Sequence, residues 1–300
     1  MSAAGVWWRG ARPRTLIAGV TPVFVGAAAA RSAPWGWRFP AALVVAVALQ
    51  LGVNFANDYF DGVRGVDTPE RLGPPRLVAS GAASARSVLV ASLGCLGVAA
   101  VVGLALALAT APVPILAIGA LALAAALLYS GGPRPYAGIG LGEVMVFVFF
   151  GLMATCGTAY VAGGTVTATA WWSGTALGLL AVAILVANNL RDIPTDQAAG
   201  KRTLAVRLGD RRTRLVYRAC IVGAFAVICA GVVVFLANEG LGITQWALVA
   251  LVAWPLAIAP MDTVGEASGS DLIPVLTGTA ALEAGFGAML VLGLLLGRIA

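Results

Sequence analysis

Apolar residues run along this chain in long blocks, and the rare polar breaks between them mark the elements. Residues 15–30 carry no charge, and neither do 39–57, 87–133, 144–190, 219–238 or 240–261. A last apolar block, 277–297, holds one acid, Glu283. A membrane-spanning helix needs about 20 apolar residues. Two of these blocks are therefore long enough for two spans each. Pro112 and Pro114 supply the break in one, and Gly163-Gly164-Thr165 the break in the other. The pattern predicts an all-α polytopic membrane protein of nine transmembrane helices, forming a single domain over residues 1–300.

Composition agrees with the pattern. The 300 residues are 60% hydrophobic and only 11% charged, where soluble domains carry about 25% charged residues. A soluble enzyme, a disordered chain and a disulfide-stapled module are all excluded. The chain has no histidine, which excludes imidazole bases, Ser-His-Asp triads and histidine metal sites. Cys95, Cys156, Cys220 and Cys229 all fall inside expected spans with no C-x-x-C pair, and read as packing residues.

With nine spans the loops alternate sides. All basic residues except Arg31, Arg38 and Arg298 then fall on one side, which the positive-inside rule makes cytoplasmic together with the N-terminus. The first apolar run follows three arginines and lacks a cleavage pattern, so it reads as a span and not as a signal peptide. Trp7 and Trp8 read as interfacial anchors. The net charge of +6 is this same bias. It suits anionic headgroups and an anionic substrate, with no need for nucleic acid as a partner.

Acids are not drawn to the cytoplasmic side by that rule, yet all but Glu239 and Glu283 lie there. Two groups, in cytoplasmic loops at about 57–86 and 188–214, are distinctive. One holds Asn54, Asn57, Asp58, Asp61, Asp67 and Glu70. The other holds Asn188, Asn189, Asp192 and Asp196. Asn57 and Asp61 are four apart, and Asn188, Asp192 and Asp196 repeat that step, so each set stacks on one helix face. Stacked like charges repel unless a cation sits on them. With only oxygen ligands on offer, Mg²⁺ fits best. Mg²⁺ usually takes one or two carboxylates, water and substrate phosphate oxygens. The two groups therefore suggest a metal-bridged diphosphate. Glu70, Asp210, Asp262 and Glu266 read equally well as loop acids paired with arginines. Arg64, Arg71, Arg76, Arg134, Arg191, Arg202 and Lys201, the sole lysine, are the cations near these groups. Arginine forks and a lysine point charge both suit phosphate.

Asn57-Asp58-Tyr59-Phe60-Asp61 and Asp192-Ile193-Pro194-Thr195-Asp196 resemble the two aspartate-rich motifs of the UbiA superfamily of intramembrane prenyltransferases. Ala11-Arg12-Pro13-Arg14-Thr15, Arg64-Gly65-Val66-Asp67-Thr68, Ala79-Ser80-Gly81, Gly131-Gly132-Pro133-Arg134-Pro135-Tyr136 and Gly140-Leu141-Gly142-Glu143 are similar to its naphthoate-prenylating branch. One departure is that Gly65 stands where the superfamily usually has a third aspartate, the next acid being Asp67. The resemblance implies a bundle around a central cavity, in a bacterial cell membrane, open toward the cytoplasm and sideways to membrane lipid. It implies that a polyprenyl diphosphate ionises and alkylates 1,4-dihydroxy-2-naphthoate, with loss of CO₂ and diphosphate. On that reading Asn57, Asp58, Asp61, Asp67, Asp192 and Asp196 serve Mg²⁺. Arg64, Arg134, Lys201 and Tyr129 serve the diphosphate, Asn188 lines the substrate site, and Arg14 or Arg76 takes the acceptor's carboxylate. Phe147, Phe149 and Phe150 are expected in the core, facing lipid or along the prenyl tail. Relatives acting on 4-hydroxybenzoate, homogentisate or haem are disfavoured by the 131–136 and 64–68 segments. A transporter of anions is disfavoured because the acids sit at one rim and not at mid-span.

Overall fold

The structure, a computed structural model, describes residues 3–32, 35–65 and 76–300. Every regular element among them is helical. A short α1 (Ala3–Ala11) turns at Arg12 into α2 (Pro13–Ala29), followed by α3 (Arg38–Val63), α4 (Ala85–Ala109) and α5 (Pro112–Leu128). Next, α6 (Gly142–Val146), a π-helical segment Phe147–Met153 and α7 (Ala154–Gly163) form one continuous helical stretch. α8 (Ala168–Arg191) leads through the short α9 (Ile193–Ala198) and α10 (Leu204–Leu208) to α11 (Asp210–Ala237). A 3₁₀ segment, Gln245–Ala253, bends by 47° into α12 (Pro255–Thr263), and α13 (Ile273–Ile299) comes last.

The sequence breaks fall where expected. α4 ends at Ala109 and α5 starts on Pro112, because proline at a first helical position loses no hydrogen bond. α7 stops at Gly163, with Gly164 in the left-handed conformation that closes a helix. Ser84, Thr167 and Thr203 cap α4, α8 and α10 by accepting N–H bonds from Ser87, Ala170 and Val206. Among the described residues six helices are long and apolar enough to cross a membrane, or seven with the bent pair counted as one. The chain is thus an integral membrane protein. The remaining two expected spans coincide with α2 and α5, both apolar and 17 residues long. Hydropathy alone did not mark the π-helical segment or the 47° bend.

α8 is the central helix. Ala170, Ala176, Leu177, Leu180, Ala183 and Ala187 are fully or almost fully buried along it, against α11, α13 and the π-helical segment. The closest approach needs glycine on both sides. A Cβ on Gly151 would stand 2.4 Å from Gly178 Cα and 2.6 Å from Gly174 O. Those are backbone atoms, which cannot swing aside, as in small-x-x-x-small contacts between membrane helices. Gly151→Val should therefore cost about 1–3 kcal/mol by overpacking. The check is a lower thermal midpoint for the purified variant in detergent.

The two ends of the bundle differ in charge. At one end Arg38 reaches Val161 O and Ala109 O, and Arg298 reaches Ala28 O and Ala30 O. The opposite end carries the acidic groups and the remaining described basic side chains that bond across elements.

Candidate active site

α3 brings a polar stripe into an apolar helix. Gln50, Asn54, Asp58 and Asp61 are all at most 7% exposed. Asn54 Nδ2 donates to Ala11 O at 2.9 Å and to Thr15 Oγ1 at 3.2 Å. Gln50 Nε2 donates to Thr15 Oγ1 at 3.1 Å and to Asn54 Oδ1 at 3.4 Å. Thr15 Oγ1 spends its own proton on Arg12 O. This network pins α3 to the junction of α1 and α2. There Arg12 has a φ of 51°, making it the one described non-glycine residue with positive φ. The Arg12 guanidinium reaches Asn54 O at 3.4 Å.

One turn on, Asn57 Oδ1 accepts from Ser130 Oγ at 2.8 Å. Asp58 turns both carboxylate oxygens to backbone: Oδ2 accepts from Leu77 N–H and Oδ1 from Val78 N–H, each at 2.9 Å. The stripe ends on Asp61.

The C-terminal end of α8 forms the second half. Arg191, 4% exposed, lays its fork on the Asp192 carboxylate, with two contacts of 2.7 Å, and donates to Asn188 Oδ1 at 2.9 Å. Asn188 Nδ2 donates to Asp192 Oδ2 at 3.4 Å. Asn189 holds Glu143 of α6 at 2.9 Å.

Lys201 joins the halves. Its Nζ is 3.4 Å from Asp61 Oδ2, 140 residues away in sequence, and 4.0 Å from Asp196 Oδ1. The loop that carries it is pinned at two adjacent positions, by Lys201 N–H to Asp196 O and by Arg202 N–H to Gly138 O. Tyr129 stands beside this junction, edge-on to Tyr136 at 5.4 Å. Burial pushes its phenol up to about 12. Arg12 pulls the other way, while the carboxylates of Glu143, Asp61 and Asp196 push further up. The hydroxyl therefore stays protonated and available to donate.

A cavity of about 1620 Å³ opens between these halves. Asn57, Arg76, Tyr129, Asn188 and Arg191 line its polar end, with Arg12 and Gln50 alongside. Leu104, Ile118, Phe149 and Phe150 line the apolar remainder. Phe147 packs against Gly178 in the core instead.

The structure therefore gathers Asn57, Asp58, Asp61, Asp192, Asp196, Lys201, Asn188, Tyr129 and Arg76 at one end, with Asp58 among the residues lining the cavity. Arg64 and Arg134, expected on the diphosphate, are both exposed. Arg64 is exposed and donates to Ser130 O and Gly132 O, so it ties α3 to the loop after α5. Arg134 is exposed and is not among the described lining residues. Asp67, Glu70 and Arg71 lie outside the described residues, as does the side chain of Arg14.

Arg12, Thr15 and Gln50 were not read as site residues from sequence, and Arg191 was read only as a cation flanking the second acidic group. Gln50 and Asn54 did leave a signal: amides one helical turn apart, inside a charge-free span, leading directly into Asn57 and Asp61.

The donors fit a hard cation. Asn57, Asp61, Asp192 and Asp196 would ligate through oxygen, Asp192 with its oxygens also held by the Arg191 fork, and Asp61 and Asp196 already share the charge of Lys201. Among the described residues no three acids converge into a cage by themselves. Further ligands would have to come from water or substrate, as is usual for Mg²⁺.

Comparison with known proteins points the same way. A family model described as "UbiA prenyltransferase family" matches residues 19–264. A 1,4-dihydroxy-2-naphthoate octaprenyltransferase of Mycobacterium tuberculosis is 48% identical, over 93% of each chain. The fold is similar to that of a UbiA homolog from Aeropyrum pernix K1, with a TM-score of 0.70 at 19% identity, covering 94% of this chain and 98% of that one. It is also similar to a UbiA homolog from Archaeoglobus fulgidus bound to DMAPP and Mg²⁺, with a TM-score of 0.60 at 17% identity, covering 95% and 98%.

Proposed function

The chain belongs to the UbiA prenyltransferase family, and on that premise we propose that it transfers a polyprenyl group from polyprenyl diphosphate to 1,4-dihydroxy-2-naphthoate. CO₂ and diphosphate leave, and demethylmenaquinol forms, the hydroquinone of demethylmenaquinone. One observation carries the reading: Lys201 draws Asp61 of α3 and Asp196 of α9 together beside a cavity that is polar at one end and apolar along the rest.

Asn57, Asp61, Asp192 and Asp196 would hold Mg²⁺ together with the diphosphate. The ion would neutralise charge growing on the leaving oxygens. Lys201, placed between two carboxylates, is released to the diphosphate as that charge arrives. Tyr129 donates its retained proton to the same group. As the allylic C–O bond breaks, its electron pair leaves with the diphosphate. The apolar walls at Phe149 and Phe150 keep water from the allylic carbon, and Leu104 and Ile118 lie along the tail. The acceptor ring needs no strong base, because its hydroxyls already make it electron-rich, and the absence of histidine accords with this. The ring carbon that bears the carboxylate forms the new bond, and the electrons of its bond to CO₂ return to the ring. Arg12 and Arg76 are the cavity cations suited to that carboxylate. Nine membrane crossings with the N-terminus and the acidic end in the cytoplasm complete the proposal, supported by the arginine asymmetry of the two ends.

The test is a reconstituted reaction with a polyprenyl diphosphate and radiolabelled aromatic acids. Label from 1,4-dihydroxy-2-naphthoate should become hexane-soluble with stoichiometric CO₂ release. Preferential use of 4-hydroxybenzoate or homogentisate would refute the acceptor assignment.

A further inference from the structure

Asp58 and Asp61 belong to one acidic run, but the structure gives their carboxylates different surroundings. Asp61 faces Lys201. Asp58, 1% exposed, accepts two backbone N–H bonds of 2.9 Å, one on each oxygen, from Leu77 and Val78. Such charge-assisted bonds are about twice as strong as neutral ones. They hold a compact turn. Ser80 N–H donates to Arg76 O at 3.1 Å, Gly81 N–H to Val78 O at 3.0 Å, and Ala83 N–H to Leu77 O at 3.1 Å, while Ser80 Oγ also reaches Arg76 O.

The rest of α3 is shaped to seat that turn. One helical turn beyond Asp58, a Cβ on Gly62 would meet Val78 Cβ at 2.6 Å and Ala79 N at 3.5 Å. Glycine is therefore what lets the turn lie against the helix. Leu77, 2% exposed, plugs into Ala11, Phe55 and Val88. Arg76, the residue before it, is 8% exposed and lines the cavity together with Arg12 and Asn57. Asp58 thus fixes the backbone from which Arg76 enters the cavity.

We propose that Asp58 is a positioning residue: through the Leu77 and Val78 N–H groups it places the Arg76 guanidinium for the acceptor's carboxylate. This rests on the proposed naphthoate transfer and separates the roles of two neighbouring aspartates, with Asp61 on the metal–diphosphate side and Asp58 on the acceptor side. Asn at position 58 would present an amide N–H to one of the two backbone donors, losing a bond and adding a donor-to-donor contact.

The test compares the purified full-length protein with Asp58→Asn, Arg76→Ala, the double variant and Asp61→Asn. Asp58→Asn should raise KM for dihydroxynaphthoate by about tenfold, the size of one charge-assisted hydrogen bond. KM for the prenyl diphosphate and the Mg²⁺ concentration for half-maximal rate should stay within about twofold of wild type, on the logic that a shift confined to one substrate reports loss of that substrate's binding. Arg76→Ala should raise the same KM, and the double variant should be no worse than Arg76→Ala alone, since the two act as a unit. Amide hydrogen exchange at 77–81 should accelerate in Asp58→Asn and remain unchanged in Asp61→Asn. A raised Mg²⁺ requirement with an unchanged acceptor KM would make Asp58 a metal residue and overturn the proposal. Multiplying effects in the double variant would also overturn it. If Asp58→Asn does not accumulate as folded protein, Asp58→Glu keeps the charge but not the reach, and a wild-type acceptor KM there refutes the idea. If no aromatic acid is prenylated by wild type, the functional reading has failed instead. Exchange still decides whether Asp58 holds the turn, and unchanged exchange in the Asp58 variant sinks the proposal by itself.

Discussion

Asp61→Ala should lower prenyl transfer by at least about 100-fold, the scale on which one electrostatic contact to a leaving group acts in a shielded site, while the protein still inserts and folds. Asp61 ends the α3 stripe, is 7% exposed and faces Lys201 across 3.4 Å. Removing its carboxylate takes one ligand from the proposed metal–diphosphate site and leaves Lys201 with Asp196 as the acid opposite. The carboxylate lies near the end of α3 against Lys201, so size-exclusion behaviour and thermal midpoint should stay close to wild type. Single-turnover assays separate the outcomes. Near-normal turnover would remove Asp61 from the site, and a misfolded variant would show itself before any kinetics were read.

Arg191→Ala should destabilise the fold by about 3 kcal/mol, the cost of stripping one partner from a buried ion pair. The side chains of Arg191 and Asp192 are 3% and 10% exposed, and both carboxylate oxygens receive the guanidinium at 2.7 Å. Without Arg191 the Asp192 carboxylate loses the fork that holds both its oxygens, while the Asn188 contact at 3.4 Å stays. Asp192→Asn in the same chain removes the buried charge and should recover much of the lost stability. Thermal unfolding in detergent reads both results. A midpoint unchanged by Arg191→Ala would show that solvent already screens the pair, contrary to its burial.

The fold was legible in the sequence because a bilayer imposes a simple rule, long apolar runs broken by prolines and glycines, and the breaks at 110–114 and 163–164 fall on real helix ends. The acidic groups were legible for a related reason: positive-inside sorting explains arginines at one end but not aspartates. What escaped depends on three-dimensional approach. Asp58 looks like Asp61 in sequence. Only the return of the chain at 77–78 shows that its oxygens meet backbone. Arg64 matches a phosphate ligand by proximity to the motif, yet its guanidinium ends on the carbonyls of Ser130 and Gly132. Trp7 read as an interfacial anchor, but it stacks edge-on to Phe55 at 5.6 Å and joins the cluster around Leu77, whereas Trp8 is 61% exposed. Gln50 stands one turn before Asn54 in the sequence, but what the pair holds shows only once Thr15 is seen between them.

On the proposed function the two acidic groups act together on one metal-bound diphosphate. Equilibrium binding of a non-ionisable prenyl thiodiphosphate to the purified protein, titrated with Mg²⁺, tests it most directly. Binding should require Mg²⁺, vanish in EDTA, and weaken by at least about tenfold in both Asp61→Ala and Asp192→Ala, one charge-assisted contact being worth about that factor. Tight binding in chelator, or wild-type affinity in either variant, would contradict the account.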